Sequence, residues 1–407
     1  MRESRIVLLD DPTRGVDVET KQEFYRLVRE LAADGTLVVW YSTEDAELRE
    51  CSRVLVFRSG QITRELHGSD ISEEAIVASS FIEPSPRAGV TAERSSNTTR
   101  SLTRWLVRLA PVASLIAVVV AMIALNPGAA TPFGADLLLS PAVPVVLVAL
   151  GQMFVIGGSE IDLGSGPFAG LVSVLSATVL VDRPLLGVAL IALALLAYAS
   201  MGLLIQVRRM PSIVVTLGAS FIWTGFGYLL QPTPGGGSPA WLSAVVSWNV
   251  PGLPTSAALI VIAGTLAWLI DRSRAGVVLR GFGNDTGGLL QLGWSASRYA
   301  LLRYAIAGGF AAAAGLSLTG INTASDINAG NAYTLLSIAS VVIGGCDLLG
   351  GSTAPVGVVC GAVTLSLIGA LLGFLGISTD YNAAVQGLLL VVILGLRGML
   401  KRREARA

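Results

Sequence analysis

From about residue 109 onward the chain is a succession of long apolar runs with few charges, separated by short polar breaks. That pattern leaves few options. A backbone in lipid must satisfy its own hydrogen bonds, so it crosses as helices or as a closed barrel. A crossing helix needs about 20 mostly apolar residues. The runs are Leu109 to Leu125, Pro141 to Ile156, Leu163 to Val181, Leu185 to Val207, Ile213 to Leu230, Pro254 to Ile270, Tyr299 to Leu318, Leu335 to Leu348, Ala354 to Leu375 and Ala383 to Leu396. They predict an all-α polytopic membrane protein with about ten transmembrane helices. Several runs are short or broken by glycine, and lipid tolerates such breaks only where protein or a watery cavity surrounds the backbone.

Basic residues orient the bundle, because Lys and Arg near span ends favour the cytoplasmic side. Arg100, Arg104 and Arg108 precede the first run, and Arg208 and Arg209 follow the fourth. Arg272, Arg274 and Arg280 follow the sixth, and Arg397, Lys401, Arg402 and Arg403 follow the last. With ten spans and a cytoplasmic start, all four clusters fall on one side. The breaks at Gln231 to Asn249 and Ile321 to Asn331 carry no Lys or Arg and fall on the other. The expected topology crosses the membrane many times, with both termini cytoplasmic.

The first hundred residues differ. Only 14% of the chain is charged and 53% is hydrophobic, yet most of the charge lies here. RIVLLD reads as a strand, VETKQEFYRLVRELAADG as a helix with Phe24, Leu27, Val28 and Leu31 on one face, and TLVVWYS as a second strand. TEDAELRECS reads as a second helical stretch, and RVLVFRSGQITREL as a hairpin turning at Ser59-Gly60. This is a small N-terminal α/β fragment, residues 1–82. A Ser/Thr/Pro/Arg-rich linker follows at 83–104, and the membrane domain occupies 105–407.

Some classes are disfavoured. A net charge of zero gives no bulk electrostatic case for nucleic acid. One histidine, His67, cannot build a multi-histidine metal site, and Cys51, Cys346 and Cys360 lack metal or disulfide spacing. The first apolar run is short and ends on Asp10 and Asp11, unlike a secretory leader.

Four membrane-domain features can carry function. GGSEIDLGSG, Gly157 to Gly166, places Glu160 and Asp162 among glycines between apolar runs. It is either a re-entrant turn lining a polar path or a solvated interfacial loop. VVIGGCDLLGGSTAPVGVVCGA, Val341 to Ala362, is either a broken helix at a translocation path or close small-residue packing. The basic stretch Ser273 to Arg298 is either a solvated loop or the seat of a short docking helix capped by Asn284 or Asp285. Polar residues within the runs, among them Gln152, Tyr198, Thr216 and Trp223, offer either ligand contacts or interhelix hydrogen bonds. Asp182, Asp326, Asp347 and Asp380 sit at run ends, and no charged pair within the runs reads as a proton relay.

LLDDPTRGVD, continuing through VVWYSTEDAEL and SRVLVFRSGQI, resembles the Walker B strand, D-loop and switch region of ATP-binding-cassette (ABC) ATPases, closest to the second ATPase half of the ribose, galactose and xylose importers. The resemblance makes Asp10 the Mg²⁺-associated acid. It places Asp11 where the family has a catalytic glutamate, Thr43 at the switch histidine, and Gly15 and Asp17 in the D-loop. A phosphate-cradling G-x-x-x-x-G-K-[ST] loop needs a lysine after glycines. The two lysines, Lys21 and Lys401, follow no such run. The expectation is a fragment that neither holds nor cleaves ATP alone, either a tail remnant fused to a permease or the end of a longer product.

The remaining three hundred residues resemble the permease subunits of the same importers. GGSEIDLGSG is similar to their GGIDLSVGS motif, and PSIVVTLGASFIWTGFGYLL, GFGND and VVIGGCDLLGG fit in order. The resemblance implies a dimeric pathway, with Glu160, Asp162, Gly164, Thr216 and Trp223 along the solute path. It also implies a coupling loop around Gly283, Asn284, Leu289 and Gly293. It further implies a bacterial cytoplasmic membrane, separate ATPase subunits using ATP and Mg²⁺, an extracytoplasmic sugar-binding protein, and a small polar cargo such as a monosaccharide. On this reading the chain is a transporter component, not an enzyme, and binds no cofactor of its own. A self-sufficient ATPase-permease and a regulatory relic are the alternatives.

Overall fold

A computed structural model describes residues 5–13, 18–42, 45–58, 61–81, 97–248, 252–378, 381 and 384–388. Two units divide the chain between Asn97 and Thr98, and each has its own core.

In the first unit, β1 (Ile6–Asp10) and β2 (Leu37–Tyr41) pair in parallel, with Ile6 opposite Leu37 and Asp10 opposite Tyr41. α1 (Val18–Ala33) makes the crossover that a parallel pair requires. Trp40 anchors it, meeting the rings of Phe24 and Tyr25 at 5.7 Å each. The predicted apolar stripe on α1 is only partly used. Leu27 and Leu31 are exposed within the unit and Tyr25 turns inward instead, because two strands are narrower than the stripe. After α2 (Asp45–Leu48), β3 (Arg53–Arg58) and β4 (Gln61–His67) form the expected antiparallel hairpin. Its predicted turn, Ser59-Gly60, lies outside the described residues. α3 (Glu73–Phe81), which the sequence reading left out, adds Ile76 to a core of Val54, Val56 and Leu66.

The second unit is helical. It runs through α4 (Asn97–Leu125), α5 (Pro132–Leu139), α6 (Ala142–Gly157), α7 (Ser165–Ala177), α8 (Val179–Asp182), α9 (Pro184–Arg208) and α10 (Ser212–Leu230). It continues with α11 (Ala240–Val246), α12 (Thr255–Arg272), α13 (Arg274–Asn284), α14 (Thr286–Gln291), α15 (Ala296–Asn322), α16 (Asn331–Ile343) and α17 (Pro355–Phe374).

The all-α membrane class stands, but the span count is corrected. Among the described residues 6 helices are long and apolar enough to cross a membrane, or 7 if the bent pair α5 and α6 is one span. The difference has local causes. The run at Pro141 begins after a 49° bend between α5 and α6, and proline is a common cause of such breaks. The run Leu335 to Leu348 stops as helix at Ile343, where Gly344 and the positive φ of Gly345 turn the chain. The apolar part of α4, Leu109–Leu125, is also short. The tenth run, Ala383 to Leu396, falls largely outside the described residues.

α15 is the central helix, packed against α9, α6 and α7. Its buried faces are built from small residues, Ala300, Ala307, Gly308, Ala311, Ala314 and Gly315, which let helices approach closely in lipid. By contrast α9, α10 and α12 expose large apolar side chains such as Leu185, Leu196, Phe221 and Val261, as lipid-facing helices do.

Hydrogen bonds sort the connections to two ends. At one end Gly235 and Ser325 bridge, Asn328 Nδ2 donates to the Tyr228 hydroxyl at 2.8 Å, and Gly237 N–H donates to the Ala177 carbonyl at 2.9 Å. At the other end meet the α6–α7 turn, the start of α10, α13 and the 344–354 segment between α16 and α17.

Candidate functional site

The second of these ends is polar and partly buried, with Asp162 at its buried centre. α6 runs into two glycines, and Ser159 then takes a positive φ of 64° to open the turn Gly158 to Gly164. Short bonds from four directions fix that turn.

From α10, Ser212 Oγ accepts from Ile161 N–H at 3.2 Å and Thr216 Oγ1 accepts from Leu163 N–H at 3.0 Å. From within the turn, Asp162, fully buried, accepts from Gly164 N–H at 2.7 Å. Its second oxygen accepts from the Tyr198 hydroxyl on α9. The Gln152 amide, oriented to satisfy both its atoms, donates to the Asp162 carbonyl at 3.2 Å and accepts from its N–H at 3.1 Å. Aromatic rings wall this carboxylate. Phe168 lies 4.5 Å from the Tyr198 ring and 5.5 Å from the Trp223 ring, and Tyr304 lies 6.3 Å from Tyr198.

From α13, Gly283 comes close enough that an added Cβ would sit 2.0 Å from the Gly157 carbonyl oxygen. Ser159 Oγ lies 2.9 Å from the Gly283 carbonyl and 2.6 Å from the Leu349 carbonyl, so its one proton serves one acceptor at a time. Gly351 N–H donates to the Gly157 carbonyl at 3.0 Å. α13 is itself clamped. Arg280 Nη1 pairs with the buried Asp271 at the end of α12, and Thr353 Oγ1 donates to the same carboxylate at 2.5 Å.

From α15, Arg303 Nη1 donates to the Gly158 carbonyl at 2.7 Å and lies 3.3 Å from Glu160 Oε1. The pair joins the buried Arg303, inside the run Tyr299 to Leu318, to the partly buried Glu160 in the break between two runs, so the expectation that no charged pair within the runs forms a proton relay is untouched. Arg303 is the one charged residue in the run Tyr299 to Leu318, and its presence there was the signal that would have found it.

The structure therefore brings Glu160, Asp162, Gly164, Thr216 and Trp223 together. A Cβ on Gly164 would lie 3.1 Å from the Thr216 carbonyl, 3.3 Å from Asp162 Oδ1 and 3.7 Å from Trp223 Nε1. Gly283 joins them through the backbone. The stretch with two readings beyond Gly283 contains a helix, α14, and Asp285 caps it by accepting from Gly288 N–H at 2.9 Å. Asn284 is exposed, Leu289 folds back onto Gly281, and Gly293 ends the segment with φ of 83°. Leu290, Leu292 and Trp294, which the sequence reading did not single out, are the exposed apolar side chains here. α13, read as loop, is a helix whose N-cap Ser273 accepts from Gly276 N–H.

An apolar groove of about 600 Å³ lies elsewhere, beside α11, α12 and α15, lined by residues including Trp241, Leu259, Ile262 and Phe310. It offers a polar solute almost nothing to bond.

In the first unit, Asp10 is exposed at the end of β1, and Asp11 N–H donates to the Tyr41 carbonyl at 2.9 Å. Gly15, Asp17 and Thr43 lie outside the described residues. The sequence reading missed Glu47. It is almost fully buried and accepts from Thr13, just after β1, and from Ser42, just after β2, with Lys21 at 3.6 Å. Burial alone would raise its pKa, but the Ser42 and Thr13 bonds and the Lys21 charge outweigh that and hold it below the ordinary value.

Comparison with known proteins agrees with this division. Residues 134–394 match the family model described as branched-chain amino acid transport system / permease component. An autoinducer 2 import system permease protein LsrC of Escherichia coli is 30% identical over 273 residues, covering 64% of this chain and 78% of that protein. The LsrC of an Enterobacter species is 29% identical over 303 residues, covering 72% of this chain and 87% of that protein. The N-terminal end matches a ribose import ATP-binding protein RbsA 1 of Mesorhizobium japonicum, 54% identical over 82 residues. There the chain spans only 16% of the relative's length. No solved structure matches the chain.

Proposed function

The chain belongs to the branched-chain amino acid transport system / permease component family, and from that premise we propose that it forms the membrane pathway of an ABC importer for a small polar solute, driven by separate ATPase subunits. The observation that carries this reading is the meeting of the α13–α14 connector with the Gly158 to Gly164 turn, through the Ser159 to Gly283 contact. A connector that presents exposed Leu290, Leu292 and Trp294 on one side and grips the pathway turn on the other suits a transmitter of force from a soluble partner.

The ends of the bundle favour an orientation. Arg208 and Arg209 lie beside Ser212, and Arg272, Arg274 and Arg280 lie on or beside α13, all at the end that holds the polar turn. By the positive-inside rule that end is cytoplasmic. The opposite end, around Gly235, Ser325 and Asn328, would then receive the solute from an extracytoplasmic binding protein. A second permease copy completes the pathway.

The cargo is a monosaccharide. Support comes from the N-terminal match to ribose import ATP-binding proteins. ATP and Mg²⁺ belong to the partner; the N-terminal unit supplies the strand-end Asp10 and no lysine-bearing phosphate loop. The test is uptake of labelled ribose and other small polar solutes into proteoliposomes containing the full chain, a binding protein and a ribose-import-type ATPase. ATP-dependent accumulation is expected, with none when the ATPase is left out. Unchanged uptake without any ATPase overturns the reading.

A further inference from the structure

The pair of buried Arg303 and partly buried Glu160 is poorly explained by stability. Burying two charges is costly, and the attraction offsets the cost only when the geometry is good and the remaining polar atoms are bonded. Here one contact of 3.3 Å joins them, and Glu160 Oε2 and Arg303 Nε are buried without a hydrogen-bond partner. Apolar residues of similar volume often hold such a position as well.

Its position says more. Arg303 sits about two helical turns into α15, on the rigid helix that starts directly after the connector. Its guanidinium lies over Gly158, where an added Cβ would sit 1.8 Å from Nη1, and bonds both the Gly158 carbonyl and Glu160. The same turn is gripped by α13 through Ser159 and Gly157. α13 and α15 are tied to each other by Tyr299, whose ring meets Phe282 at 5.5 Å and Trp294 at 5.6 Å. So α14 hangs between two helices that are joined at its base and that hold one turn from two sides.

We propose that Arg303 is a positioning residue: through Glu160 and the Gly158 carbonyl it converts displacement of the α13–α14–α15 connector into movement of the pathway turn. The inference rests on the importer reading above. In this arrangement the ion pair is the link between ATP turnover on the partner and opening of the path. Losing it uncouples the two while leaving the helices packed.

The test is the ratio of labelled ribose taken up to ATP hydrolysed, in proteoliposomes of the full chain with its ATPase and binding protein. Glu160→Gln combined with Arg303→Met removes both charges together. The expected result is full-length protein that melts like the wild type, hydrolyses ATP at a comparable rate, and moves about tenfold less ribose per ATP. Arg303→Lys keeps the charge but changes the length and planar geometry by which the single Nη1 meets both acceptors, and is expected to give a smaller drop in the same ratio. A double variant with the wild-type ratio overturns the proposal. So does a parallel loss of hydrolysis and uptake, which a merely structural pair would produce. Should the double variant fail to accumulate, Arg303→Lys decides: an unchanged ratio overturns the proposal and a lowered one sustains it. Wild-type uptake that ignores ATP overturns the importer reading, and this inference with it.

Discussion

Gly158 has no room for a side chain. Any Cβ there meets the Arg303 guanidinium, so Gly158→Ala should push the arginine off both its acceptors. A loss of about 1–3 kcal/mol in detergent unfolding is expected, as for other overpacked sites. The same substitution in an Arg303→Met background should cost clearly less, because the clash is gone; a double-mutant cycle measures the difference. Glu47 gives a second prediction of a different kind. Its folded pKa lies below the ordinary 4.5, so the stability it contributes is fully present above that value. That contribution fades as pH falls below 4.5 through the folded pKa. Amide exchange at β1 and β2 in the full chain should therefore quicken as pH is lowered, beyond the intrinsic trend, and Glu47→Gln should remove that extra dependence. Gly158 sits in the conspicuous GGSEIDLGSG stretch, but Glu47 was not conspicuous in the sequence. Glu47 looks like one more acid in a polar helix, and its partners lie at the ends of two strands that only the fold brings together.

The connecting helices carry the next expectations. α14 is six residues long, too short to persist by itself, and its stability comes from the Asp285 cap and the packing of Leu289 on Gly281. Leu290 and Leu292 point away from that packing. Converting both to serine should change the unfolding midpoint little, within about 0.5 kcal/mol per site, while weakening co-purification with the ATPase. Gly283→Ala should act oppositely. Its Cβ would press on the Gly157 backbone oxygen, which cannot swing aside as a side chain can. Thermal melting should fall, and the Ser159 contact to α13 should open. The lengths of α9, α10, α12 and α17 were legible because apolar length alone dictates a crossing helix. α13 was not, since Arg274 and Arg280 and three glycines read as loop. Its helix forms because Asp271 and Thr353 receive Arg280 and because Val278, Leu279 and Phe282 bury one face.

For the molecule as a whole, class and order were more legible than the number of spans. Ten apolar runs were visible, yet a bend before Pro141 and a glycine turn after Ile343 shorten two of the helices that result. Composition cannot report such breaks, because glycine and proline sit within crossing helices as well as between them. The pathway turn was legible as acids among glycines. Arg303 stood out as the one charge in its run, but its pairing with Glu160 spans 143 positions and no local pattern names the partner. What the whole fold adds is a common end, where the turn, α13 and the 344–354 segment meet beside Arg208, Arg209, Arg272, Arg274 and Arg280. On the proposed orientation the exposed edge of α14 faces the cytoplasm and is covered by the ATPase. Thiol labelling with a membrane-impermeant reagent addresses both points, using Leu292→Cys in a chain without Cys51, Cys346 and Cys360. Labelling is expected in inside-out vesicles and absent in intact spheroplasts, and added ATPase should block it. Labelling from the outer face, or labelling from the inner face that the ATPase leaves untouched, would contradict the account.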